Sequence, residues 1–176
     1  MKLKSLLSFS FILMLLSCTK NEIKLNNAPQ LNLVGQWKVT QLKFTETVKS
    51  SIRGITSIEK TENIGSNFSL VYTFINSPNE LDAHGFFDLE IINEWGKIDY
   101  SKDVKGIDGI YPPATWLLEN NVITLKVPDF TQEIQVKNFT ENKIELQYTY
   151  QRKNMNILNS DYTSKTSIYH LTLKRI

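Results

Sequence analysis

Cysteine and histidine are almost missing from this chain: Cys18 is the sole cysteine and His84 and His170 the two histidines among 176 residues. One cysteine excludes an intrachain disulfide. Neither histidine has a second histidine or a cysteine at ligand spacing, which removes the usual zinc and copper donor sets. No Gly-x-Ser-x-Gly elbow, His-Glu-x-x-His helix or glycine-rich phosphate loop occurs, so nothing points to an enzyme. Asp99, Asp103 and Asp108 lie near Gly106 and Gly109, but their spacing is not that of alternating calcium ligands. They are expected in a solvated polar loop, and no metal or cofactor is expected. Charge of one sign is also lacking. The net charge is +2, with 20 basic and 18 acidic side chains. Removal of residues 1–17 takes away Lys2 and Lys4 and brings it to zero. Without a basic stripe the chain is not expected to bind nucleic acid.

What the N-terminus does have is a processing signal. Lys2 and Lys4 precede an apolar run from Leu6 to Leu16, which ends at Ser17-Cys18. The run is shorter than the roughly 20 residues of a membrane span and fits a secretory signal peptide over residues 1–17. Leu15-Leu16-Ser17-Cys18 resembles the lipobox of bacterial lipoproteins. That resemblance implies cleavage before Cys18 and acylation of its thiol and new amino terminus, a lipid anchor to the membrane. Thr19 stands where inner-membrane retention usually requires aspartate, so the resemblance implies the outer membrane. Residues 18–32, polar, rich in asparagine and interrupted by Pro29, read as a tether.

The remainder, 33–176, reads as one all-β domain, with no helical pattern after residue 20. Trp37 and Val39 alternate with Gln36, Lys38 and Thr40, the period of a half-buried strand. Leu42 and Phe44 fall on the opposite parity, and a bulge near Thr40-Gln41 would return them to the same face. Phe68, Leu70, Tyr72 and Phe74 share a face of the clearest strand. After the turn signal Ser77-Pro78-Asn79, Phe86–Ile92 is expected to pair with that strand as a hairpin. Asn120-Asn121 joins strands 115–119 and 122–127, since asparagine tolerates positive φ. Strands 132–138 and 143–151 flank Thr140-Glu141-Asn142, and a last strand begins near Ser164. Residues 49–67 are expected to be a long loop over a barrel mouth or one irregular strand, and 94–113 a polar insert. About eight strands in this order favour an antiparallel up-and-down β-barrel, whose closure removes exposed edges.

The lipobox, the polar tether, Gly35-x-Trp37 on the first strand, the Asn-Asn hairpin and the terminal Leu171-Thr172-Leu173-Lys174-Arg175 strand together resemble the lipocalin-like lipoproteins of Gram-negative bacteria. The likeness covers Leu33 to Ile176 and implies that Arg175 packs across Trp37, close to Gly35, to shut one barrel end as a structural lid.

Two functions are compatible with that fold. The first is a carrier or sensor holding a small hydrophobic molecule against Phe68, Leu70, Tyr72, Phe74, Tyr148 and Tyr150. The second is an envelope interaction or assembly module with a filled barrel. It would bind protein or glycan through 49–67 and 94–113, with Trp95 and Tyr111 as exposed anchors.

Overall fold

A computed structural model describes residues 31–103, 107–110, 112–155 and 161–176; the expected signal peptide, Cys18, most of the tether and Tyr111 lie outside them. The described chain is all-β. Its elements are β1 (Gly35–Ile52), β2 (Ile55–Ser66), β3 (Val71–Ile75), β4 (Glu80–His84), β5 (Phe86–Asn93), β6 (Gly96–Asp103), β7 (Ala114–Glu119), β8 (Val122–Val127), β9 (Phe130–Thr140), β10 (Lys143–Met155) and β11 (Tyr162–Arg175).

All neighbours pair antiparallel. β1, β3, β4, β7, β8, β9, β10 and β11 follow one another around a barrel that the β11–β1 pairing closes. Of the other three elements, β2 and β5 are continuations of barrel strands. β1 meets β3 with Gly35–Lys38 and β2 with Lys43–Ile52, so β2 and β3 form one run interrupted at Asn67–Leu70. β4 and β5 likewise form one run, bent at Gly85, and pair with β3 and β2 respectively. β6 pairs with β5 and β7 with β4. Past the barrel rim these continuations and β6, together with the outer halves of β1, β10 and β11, form an open sheet in the order β10-β11-β1-β2-β5-β6, here called the arm.

Irregularities line up where β1 changes its partner from β3 to β2. β1 carries a bulge at Thr40, between Val39, which faces Leu173, and Gln41, which faces Thr172. β9 has an extra residue at Lys137, where Glu145 faces Asn138 and Leu146 faces Val136. Glu145 is itself opposite Thr172, so the two bulges share a row. Farther along, Asn67 has φ 50 and Gly85 φ 111. A Cβ on Gly85 would lie 2.3 Å from the Ser69 carbonyl oxygen, so only glycine allows this approach.

Several expectations need correction. Residues 49–67 are not a loop over the mouth. They are the end of a hairpin, the outer parts of β1 and β2, turning at Arg53-Gly54 with φ 51 and 80. Their weak apolar alternation reflects a sheet exposed on both sides. Phe86–Ile92 does not pair with the strand of Tyr72 and Phe74; β4 does, and the turn at Ser77-Pro78-Asn79 leads into β4. Phe68 and Leu70 precede β3, within the interruption. The 94–113 insert contains β6 and a buried turn at 107–110.

Candidate functional site

At the closed end, the indole of Trp37 is fully buried and its Nε1 donates to the Leu33 carbonyl at 2.7 Å. The Arg175 guanidinium carbon lies 4.2 Å from the indole centroid, a cation–π geometry. Its nitrogens donate to the Val34, Asn32 and Glu141 carbonyls at 2.7, 2.5 and 3.0 Å. Arginine suits this place because its planar fork reaches several carbonyls while its face covers a ring. Gly35 makes room: φ is +123, and a Cβ there would sit 3.0 Å from Arg175 Nη1. The chain entry, the last strand and the β9–β10 turn are thereby tied at one point.

The middle of the barrel is apolar. The bulge at Thr40 returns Leu42 and Phe44 to the inner face with Trp37 and Val39, and all four are buried. Of the six aromatic and aliphatic residues proposed to line a ligand cavity, Leu70, Tyr72, Phe74 and Tyr148 are buried, while Phe68 and Tyr150 are half-buried at the edge of the core. Each of the six except Leu70 has a ring or hydroxyl contact of its own. Phe74 meets Trp116 edge-on at 5.7 Å, Phe68 faces Phe87 at 6.1 Å, and Tyr150 meets Phe130 at 6.2 Å. Tyr148 belongs to a three-ring stack across β1, β11 and β10: Phe44–Tyr169 at 4.5 Å and Tyr169–Tyr148 at 4.7 Å.

Over that stack lies the 107–110 turn. Ile107 and Ile110 are 3 % exposed and bridge each other. Three tyrosines from different strands hold the turn. Tyr72 Oη accepts from the Ile107 amide at 3.0 Å, Tyr148 Oη donates to the Asp108 carbonyl at 2.7 Å, and Tyr169 Oη donates to the Asp108 carboxylate at 3.2 Å. Gly109, φ +87, lies so close that a Cβ would be 2.7 Å from the Tyr148 ring. Asp108 is therefore a structural plug residue, against the expectation of a solvated loop.

Charge surrounds this plug on the arm side. Lys165 Nζ is 2.5 Å from Glu46 and 3.6 Å from Asp108, and Ser167 donates to Glu46 at 3.4 Å. Burial alone would lower the Lys165 pKa, but the hydrogen bond and charge of Glu46, with the charge of Asp108, outweigh it and raise the value above 10.5. Burial, then the Asp108 charge, pushes the Tyr169 phenol well above its ordinary 10.0. Lys165 and Tyr169 thus keep their protons near neutral pH, and their contacts clamp the plug. Sequence reasoning missed Glu46, Asp108, Lys165 and Tyr169 because they come from three distant elements. Parity alone puts Tyr169 on the inward face with Leu171 and Leu173, and Glu46 on that of Phe44, but does not bring them together.

Beyond the cluster the inner face of the arm carries Ser50, Ser57, Glu59 and Thr61, by their register with the core-facing rows. Ile52, Ile55 and Ile58 at its tip are 57, 76 and 62 % exposed, and Trp95 at the β5–β6 turn is 84 % exposed. Asp88 accepts from Asn67 Nδ2 at 2.7 Å and Glu90 pairs with Lys97 at 2.7 Å on the outer face. Among the described residues, no group of three or more His, Cys, Asp or Glu side chains is placed to hold a metal ion. The chain matches no family model, no curated protein and no solved structure.

Proposed function

We propose that this protein is a lipocalin-like lipoprotein of the outer membrane, anchored through Cys18, and that it is a non-catalytic envelope module binding a partner through its projecting arm. One contrast carries this reading: aromatic rings contact one another inside the barrel beneath the 107–110 plug, while Ile55 and Trp95, the two most exposed large apolar side chains of the described residues, lie on the arm with Ile52 and Ile58 beside the β1–β2 turn. Exposed apolar groups on a polar rim are the usual anchors of protein interfaces. The barrel then acts as the rigid base that holds the arm away from the membrane.

The test is recovery of envelope partners by cross-linking in cells. Ile55→Ser with Ile58→Ser should abolish partners that the wild-type chain and a Lys126→Ser control on the barrel wall both retain. Equal recovery from all three would discard the arm as the contact element. Cys18→Ala should move the protein from the membrane to the soluble fraction, and unchanged fractionation would remove the anchor.

A second reading keeps the hydrophobic carrier. It rests on where the plug sits: Tyr72 accepts from the Ile107 amide, Tyr148 and Tyr169 donate to Asp108, and Ile107 bridges Ile110 within the turn. Withdrawal of 107–110 would expose Tyr72 and Tyr148 to a ligand in its place. Native mass spectrometry of the gently purified protein separates the readings, since a carrier shows extra mass lost on denaturation and a filled barrel shows the bare polypeptide.

A further inference from the structure

The row of the two bulges is also a groove on the outside of the wall, of about 570 Å³. It crosses five strands and presents Gln41 and Lys43 from β1, His170 and Thr172 from β11, Glu145 from β10 and Lys137 from β9, beside Ile64. Two aligned bulges make it. An extra residue in one strand of a pair bends that strand and redirects side chains, and bulges of this kind recur beside binding sites. Here the extra residues are Thr40 and Lys137, at the two sides of the Thr172–Glu145 pair.

The charges on this groove are unequal in their bonding. Lys43 is paired with Glu62, and Glu145 is taken by Lys143 at 2.5 Å. Lys137 has no ion-pair partner among the described residues and is exposed. The polar row between these charges is already oriented: Thr172 Oγ1 donates to Gln41 Oε1 at 2.9 Å, and Thr40 Oγ1 donates to the Thr172 carbonyl at 3.2 Å. That leaves the Gln41 amide nitrogen, the His170 ring and the Lys137 ammonium as polar groups at the surface. Ile64, 37 % exposed, supplies an apolar flank. A cation with no ion-pair partner among the described residues, an amide and an imidazole beside it, and an apolar side wall match a ligand that has one carboxylate, several hydroxyls and an apolar ring face. A groove of this volume is within the range that holds small ligands.

We propose that this groove binds an acidic saccharide, with Lys137 on the carboxylate and the Gln41 amide and His170 ring on the hydroxyls. The site is separate from the arm tip and does not depend on the function proposed above. The test is chemical-shift mapping of the full chain at low salt with three probes: D-glucuronate, D-glucose and acetate. Glucuronate should give saturable shifts confined to residues 40–43, 64–65, 137–145 and 170–172, with affinity about two- to fivefold above glucose, as one exposed charge pair provides. Acetate should show no saturation. Lys137→Gln should bring glucuronate down to the affinity of glucose, and Lys137→Arg should retain the preference. No saturable shift, shifts centred elsewhere, acetate equal to glucuronate, or a preference that survives Lys137→Gln would each overturn the proposal.

Discussion

Barrel and arm are built from the same strands, yet they are held by different forces. Along β1, inward positions Trp37, Val39, Leu42 and Phe44 are buried, and the next ones outward, Glu46, Val48 and Ser50, are half-buried. β11 turns polar in the same place, from Leu173, Leu171 and Tyr169 to Ser167, which is still buried, and then to the half-buried Lys165. Inside the barrel each inner face meets the opposite wall, so apolar burial at about 25 cal/mol per Å² supplies the stability. Past the crease no opposite wall exists. There the sheet is held by its backbone ladder, by cross-strand pairs such as Lys43–Glu62, and by side chains bonded across strands. A strand can thus leave a core and stay ordered, provided that its inner face turns polar where the core ends.

That contrast predicts very different sensitivities. Trp37→Ala removes the largest buried ring and the face on which Arg175 rests, and should cost about 3–5 kcal/mol in urea unfolding. Val48→Ala, on the same face of the same strand, should cost about 0.5 kcal/mol. Equal losses would mean that the arm carries a core of its own and would break the comparison. The plug lies at the boundary and should fall between. Gly109→Ala places a methyl carbon 2.7 Å from the Tyr148 ring at a left-handed φ, so about 1–3 kcal/mol is expected. Its loss should also be local, with faster amide exchange at Ile107 and Ile110 and unchanged protection in β8. A uniform increase in exchange would show that plug and barrel unfold together.

The same division decides what could be read from the sequence. The barrel strands were legible because one face meets a core and the other water, so alternation is strong: Ile123 and Leu125, or Ile144, Leu146 and Tyr148, mark their strands without help. The Thr40 bulge was readable from the change of parity between Val39 and Leu42, and the β7–β8 turn from Asn120-Asn121, which takes φ 49 and 62. The arm was obscure for the converse reason. Ser57, Glu59 and Thr61 face in and Thr56, Ile58 and Lys60 face out, which gives no apolar period to follow. The joining of β4 to β5 through Gly85 could not be seen either, because a glycine between two strand-like runs reads as a turn. The plug was hidden most completely. Its burial depends on tyrosines from β3, β10 and β11, and a short polar stretch with two glycines carries no local sign of them.

The dependence on pH is the effect most specific to the boundary between the two regions. Tyr169 lies at the last apolar row and touches the first charged one, and burial with the nearby Asp108 carboxylate raises its pKa above 10.0. Above pH 10 the unfolded chain therefore releases this phenolic proton while the folded chain keeps it. The folded state then binds more protons, and stability falls as pH rises; the contribution is present in full below pH 10. Lys165, raised above 10.5, acts in the same direction from a slightly higher pH. Tyr169→Phe should lower stability at pH 8 by about 0.5–1.5 kcal/mol, the worth of the hydrogen bond to Asp108. Between pH 10 and 11 the variant should then lose less than the wild type, so that the two curves converge by about 1 kcal/mol. Urea midpoints at pH 8, 9, 10 and 11 measure this directly. Curves that stay parallel would mean that the phenol ionises as readily in the folded protein as in water, and that Asp108 sits on the solvent side of the boundary.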